Sequence, residues 1–364
     1  MKRKTITFIC ALIIGLVVLP FLNIIYNPDV ISTKNLRARI TSLYNMDIVE
    51  TGVGYICYQF SLSISPDQVY VGKDGWLFLG ENYSSPITTK LLGVNESNKA
   101  TIKKIASNVA SWNSFFRSHG VKDFKIIVGP DKETVYPELA PNWLKQSEGQ
   151  ILRELIKSDP DIYIDAFNQI GKAKHLSEIP LYFKTDTHWN LYGGAIAFNA
   201  LADRLRLDVP GIKLEDRYHT SDFFLKKKEG GDLSRFLKIS HLISDDEVEV
   251  RRQSLTSLKV TSVDYKTGRI ITSGGFEPIE APRSLTVYGT ARALNNYKVL
   301  WLRDSFGTAM SPYMVRTFGN ILQVHYGRIT PPEIKRLVMN YKPDFVFITG
   351  VERDSLGKFF YTPM

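Results

Sequence analysis

Two short stretches of this chain hold the residue types needed for acyl transfer. KTDTHWN contains Asp186, His188, Trp189 and Asn190; LWLRDSFG contains Arg303, Asp304, Ser305 and Phe306. A serine hydroxyl is a weak nucleophile near neutral pH. It needs a base within hydrogen-bond reach, and the base needs a partner that fixes its tautomer. Ser305 follows an apolar run, at the strand end where an α/β sheet exposes its ligands. A sharp turn there would lift its oxygen clear of the backbone. His188 can serve as the base. Asp186 lies two positions before it, so in extended backbone both side chains leave the same side of the chain. Other readings stand beside this one. Ser305 also reads as the N-cap of a helix, and Asp-x-His as a fragment of a metal site. No HExxH, no CxxC and no third clustered ligand points to zinc. No GxxxxGK[ST] or GxGxxG occurs, so neither a phosphate loop nor a cofactor is expected. The other histidines, His119, His175, His219, His241 and His325, read as structural or solvated.

The elements around these stretches alternate. QVYVGKDGWLFLGEN reads as two β-prone runs around Asp74-Gly75, a hairpin. Asn98 to His119 carries apolar residues at helical spacing and stops before Gly120. Asp123 to Pro130 reads as a buried strand entering a loop, and Ile162 to Phe167 as another strand. Leu191 to Leu205 reads as a helix. KVLWLRDSFG is strand then turn, ILQVHYG a strand, PPEIKRLVMNY a helix opened by prolines, and DFVFITG a final strand. This rhythm predicts an α/β fold with a mostly parallel sheet covered on both faces. Between about 247 and 290 the pattern changes to period two, which predicts a β-rich insertion.

The chain has 364 residues, 44% hydrophobic, with a net charge of +9. That is enough for a real core, and it is not the dense basic patchwork of a nucleic-acid binder. Two cysteines, Cys10 and Cys57, exclude a disulfide framework and a four-cysteine zinc site. Lys2, Arg3 and Lys4 precede an uncharged, mostly apolar run ending at Asn27. Its length is close to the ~20 residues that span a bilayer. The charges in front of it predict a signal-anchor over 1–27, with the rest exported. A cleaved signal is the alternative, though no small-x-small site follows the run. Residues 28–65 then form a juxtamembrane lead-in, and 66–364 one catalytic domain.

Taken together, VYVGKDGWLFL, IIVGPDKETVYPELAP, TDTHWN, GGDLSRFL and VLWLRDSFG resemble the SGNH hydrolase-like family of polysaccharide O-acetyltransferases, that of the AlgJ and AlgX alginate acetylation proteins. The blocks occur in the family's order. The resemblance implies a flavodoxin-like three-layer sandwich. It also implies a Ser-His-Asp triad of Ser305, His188 and Asp186 in the permuted order Asp, His, Ser. It implies transfer of acetyl from a membrane-bound O-acyltransferase partner to a polysaccharide acceptor, without a cofactor or metal. It further implies a catalytic domain in the periplasm, held to the inner membrane by the N-terminal helix of an AlgJ-type protein. An acetylesterase with the same triad and a non-catalytic polysaccharide-binding protein are the competing functions. Where ordinary SGNH esterases have glycine before Asp-Ser, this chain has Arg303, which leaves backbone approach at that corner open. The Ser305 backbone N–H is an expected oxyanion donor. The roles of Asp304 and Lys132 are open, and Lys132 also reads as a surface charge.

Overall fold

Strands that alternate two sets of apolar side chains divide the molecule into layers. In the strand Phe345–Val351, Phe345 and Phe347 enter one apolar cluster while Val346 and Ile348 enter another. In Asn295–Arg303, Val299 and Trp301 join the first, Leu300 and Leu302 the second. Because successive side chains leave opposite faces of a strand, each face needs its own cover. Helices Ala166–Leu176, Leu191–Asp208 and Gly307–Thr317 cover the first face. Helices Glu96–Ser118, Ile151–Ser158 and Pro331–Tyr341 cover the second. This is the three-layer α/β arrangement expected. The computed structural model describes residues 2–32, 34–275 and 277–363.

The strands in chain order are β1 (Val69–Val71), β2 (Leu77–Leu79), β3 (Asp123–Gly129), β4 (Tyr163–Ile164), β5 (Phe223–Glu229) and β6 (Ser244–Val250). Then come β7 (Val260–Asp264), β8 (Ile270–Gly274), β9 (Thr286–Gly289), β10 (Asn295–Arg303), β11 (Phe318–His325) and β12 (Phe345–Val351). The central sheet has the order β4-β3-β12-β10-β11-β9-β7-β8. From β4 to β11 neighbours are parallel; β9, β7 and β8 extend it antiparallel. The period-two segment therefore widens the main sheet with three of its strands. Its first strand, β6, pairs instead with β5, whose FFLKKKE sequence gives only a weak apolar alternation.

Most local expectations hold. β1 and β2 pair as a hairpin, with Asp74 and Gly75 at positive φ in the turn. The long helix is capped by Asn95, whose side chain accepts from the Asn98 N–H. The expected strand over 162–167 is shorter: Asp165 caps a helix that begins at Ala166, so only Tyr163 and Ile164 pair.

The membrane anchor is a correction. Residues Lys2–Tyr26 are helical, but among the described residues no helix is long and apolar enough to cross a membrane. The single-pass placement in the inner membrane falls with it. The end of this helix is engaged with protein: Asn23 Nδ2 donates to the carbonyls of Leu43 and Asn45, and the Tyr44 hydroxyl donates to the Leu16 carbonyl.

Candidate active site

Ser305 stands at the corner between β10 and the helix Gly307–Thr317. The corner is fixed by its neighbour. Asp304 is buried, and its carboxylate accepts from the N–H of Phe306 at 2.8 Å, the N–H of Val351 at 2.8 Å and the Tyr326 hydroxyl at 3.1 Å. Burial raises its pKa, while those backbone donors favour the charged form. Phe306 is buried and Ser305 exposed, so the turn pushes the hydroxyl outward while its flanks stay in the core. The Ser305 N–H donates to no group among the described residues.

Arg303 does not obstruct this corner. Gly307 supplies the room: a Cβ there would come within 2.4 Å of the Arg303 side chain. The buried guanidinium makes no hydrogen bond to Ser305 among the described residues; its Nη1 donates to the Asp304 carbonyl at 3.3 Å. It also donates to Gln323 Oε1 at 2.7 Å and to the carbonyls of Ile279 and Glu280 at 2.6 and 3.0 Å. No carboxylate is paired with it among the described residues, and burial pushes it down to about 10.

The Asp-x-His segment arrives from the other side of the chain. Trp189 is buried, its Nε1–H donates to the Phe306 carbonyl at 2.7 Å, and the two rings lie 5.1 Å apart. This contact joins segments 117 residues apart in sequence. His188 Nε2 is then 2.8 Å from Ser305 Oγ, and His188 Nδ1 is 2.7 Å from Asp186 Oδ1. Asn190 is a helix cap: its side chain accepts from the N–H groups of Tyr192 and Gly193. All three residues singled out in the sequence, Asp186, His188 and Ser305, thus meet in one chain of hydrogen bonds.

Electrostatics fit this geometry. Burial pushes the Asp186 carboxyl up, but the hydrogen bond and charge of His188, with the N–H groups of Asp232 and His188, outweigh it and hold it well below its ordinary range. Burial pushes His188 down, yet the Asp186 hydrogen bond and charge, aided by Asp232, raise it overall. An ionised Asp186 accepts Nδ1–H, which leaves Nε2 with a lone pair toward the serine hydroxyl.

Three contributors escaped the sequence reading of roles. Asp232, in GGDLSRFL, places Oδ2 3.8 Å from His188 Nδ1 and accepts from the Thr187 N–H at 2.8 Å. Gly231 beside it is required by space: a Cβ there would lie 2.4 Å from Asp186 Cβ. Asp245 accepts from the N–H groups of Lys184 and Thr185; no motif in the sequence singled it out. Lys132 is a correction to the surface reading. It is 2% exposed, and its ammonium donates to the carbonyls of Phe183, Lys184 and Asp186 at 3.0, 3.2 and 2.7 Å. Burial pushes it down to about 8, against the pull of Asp186, Asp232, Asp245 and Glu133. It therefore holds the loop that carries Asp186.

Asp186, His188 and Asp232 also offer ligand atoms within 4.8 Å of one another, close enough to share a cation. Hydrogen bonds to each other, to backbone and to Ser305 already occupy them. A cavity of about 830 Å³ opens beside Ser305, and a second of about 430 Å³ also reaches it.

A family model described as the SGNH hydrolase-like domain of acetyltransferase AlgX matches residues 69–290, well over half of the chain. The probable alginate O-acetylase AlgJ of Pseudomonas aeruginosa is 24% identical over 236 residues, covering 62% of this chain and 56% of the relative. This chain thus spans just over half the length of that curated relative. PatB1 of Bacillus cereus superposes with a TM-score of 0.58 at 14% identity, over 81% of this chain and 99% of PatB1. A DHHW family protein from Eubacterium siraeum gives 0.53 at 14% identity, over 80% and 92%. These structural likenesses show the fold expected from the sequence.

Proposed function

Because this chain belongs to the family of the AlgX-type SGNH hydrolase-like acetyltransferase domain, we propose that it transfers acetyl groups to hydroxyls of a polysaccharide through an acetyl-Ser305 intermediate. The observation that carries this reading is the continuous hydrogen-bonded chain from Asp186 through His188 to Ser305. In the first half-reaction Ser305 Oγ attacks the donor's acetyl carbonyl as its proton passes to His188 Nε2. The ester oxygen bond of the donor then breaks, and His188 returns the proton to the leaving oxygen. In the second half, His188 takes the proton of a sugar hydroxyl, that oxygen attacks the acetyl carbonyl, and Ser305 leaves as the alcohol with the proton returned to it. Asp186 fixes the imidazole and stabilises its charged form. The free N–H of Ser305 supports the role of oxyanion donor, and one such donor is worth about 3–4 kcal/mol of barrier.

In this reading residues from about 66 onward form the transferase domain, a membrane-bound O-acyltransferase supplies the acetyl group, and a polysaccharide is the acceptor. The name of the AlgJ relative makes alginate the first acceptor to try. The test uses p-nitrophenyl acetate as donor and a uronic-acid hexasaccharide as acceptor. We expect acetylated oligosaccharide from wild type and none above background from Ser305→Ala. Ester turnover that ends only in acetate, with no acetylated sugar at any acceptor concentration, would overturn the transferase reading in favour of an esterase.

A further inference from the structure

His188 and Ser305 line both cavities described above, and Asp232 lines both with them. The rest of the two linings is disjoint and chemically different. The larger cavity is walled by the β5–β6 hairpin, the 278–283 loop and the turn after β11. Three exposed arginines there, Arg235, Arg283 and Arg328, have no ion-pair partner among the described residues; His325 and Glu280 face the same space. Its walls thus present hydrogen-bonding groups along a space large enough for more than one sugar ring. The smaller cavity is walled by Leu79 at the end of β2, by Asn82 and Tyr83, by Phe236 and by Arg353. Tyr83 and Phe236 pack their rings 5.6 Å apart. Arg353 is tied on its far side to Asp131 at 2.5 Å. This rim is short and mixed: Ser84, Thr187 and Asp354 stand beside the Tyr83–Phe236 pair, and Arg353 is an anchored cation.

We propose that donor and acceptor reach Ser305 through separate clefts, the acyl ester through the short cleft of Leu79, Asn82, Tyr83 and Phe236, and the sugar chain through the larger cleft of Arg235, Arg283 and Arg328. The inference rests on the transferase reading above and adds an assignment of sides. The geometry suits a double displacement. His188 lines both clefts, so the same Nε2 protonates the alcohol that leaves into one and then, at the same position beside the acetyl carbonyl, deprotonates the hydroxyl that arrives from the other. Only the two reacting oxygens succeed each other at that position, while the bodies of the two substrates occupy different clefts.

The assignment is tested by closing each side with a bulky residue in the full chain. Asn82→Trp narrows only the smaller cleft; Ala281→Trp narrows only the larger. Acylation is followed as the p-nitrophenol burst from p-nitrophenyl acetate. Discharge is followed as acetyl transfer from the labelled enzyme to a uronic-acid hexasaccharide. We expect Asn82→Trp to slow the burst at least tenfold while changing the discharge rate less than twofold, and Ala281→Trp to do the reverse. If Asn82→Trp fails to fold, judged by thermal melting, Ser84→Trp on the same rim replaces it; Arg283→Ala, with a raised acceptor KM, backs Ala281→Trp in the same way. The reversed pattern, or equal effects of both variants on both steps, overturns the assignment while leaving the transferase reading intact. Absence in wild type of both p-nitrophenol release and acetylated oligosaccharide would instead sink the transferase reading itself, and the assignment with it.

Discussion

Ser305 is exposed between two buried neighbours, and in the proposed mechanism its reactivity depends on the His188 imidazole, whose charge state Asp186 biases. His188 must be neutral to accept the serine proton. Its pKa is held above the ordinary 6.5, so activity should rise with pH through a midpoint above that value. Asp186→Asn removes the raising hydrogen bond and charge. It should lower that midpoint and reduce kcat roughly a thousandfold or more, as read from kcat–pH profiles of the two enzymes. The sign for stability is the opposite at each partner. The depressed Asp186 pKa contributes stability that is present above about 3.8 and lost as pH falls through the folded value; the raised His188 pKa contributes stability that is present below about 6.5 and lost as pH rises through its own. Denaturant melts should therefore show the pair's contribution in full only between those two limits. Lys132→Met leaves the carbonyls of Phe183 and Asp186 without a donor, at about 1–3 kcal/mol each when unsatisfied. Urea melts should show a loss of about 3 kcal/mol or more. Asp186, His188 and Ser305, whose side chains meet in the structure, stand out in the sequence because each sits in a short motif. Lys132 does not, since nothing near it in the chain says which carbonyls its ammonium will meet about 50 residues later.

At the scale of elements, two loops are held in place by a glycine and a buried arginine. Gly231 admits the backbone that donates to Asp186. Gly231→Ala should push that carboxylate away, lowering kcat more than about tenfold with little change in KM, as steady-state kinetics would reveal. Arg303 holds the 279–280 segment on the wall of the larger cavity. Arg303→Met should free that wall and raise the acceptor KM at least fivefold, measured by oligosaccharide saturation. The strands and helices were mostly readable, because period-two and helical spacing follow directly from which side chains must be buried. β12 and the Val299 to Leu302 part of β10, buried on both faces, read as continuous apolar runs. The expectation failed where a polar side chain decided the boundary, as Asp165 does by capping the helix after Tyr163 and Ile164. β5 was missed because its lysines pair with acids of β6, Lys227 with Asp246 and Lys228 with Glu247, so cross-strand charge rather than apolar alternation marks it.

For the whole molecule, the apolar N-terminal run was a poor guide. Hydropathy counts residues, but Asn23 within the run bonds back to chain around Leu43 and Asn45, a contact that spacing cannot reveal. What the fold achieves globally is a meeting of two distant segments, clamped by Trp189 and Phe306, at the C-terminal edge of a parallel sheet. The account stands on the activation of one hydroxyl at that meeting point. The most direct measurement is covalent labelling with a small sulfonyl fluoride, followed by peptide mapping by mass spectrometry. Wild type should carry a single adduct on Ser305, formed at least a thousandfold faster than in His188→Ala. An adduct on another residue, or equal labelling rates in the two proteins, would contradict it.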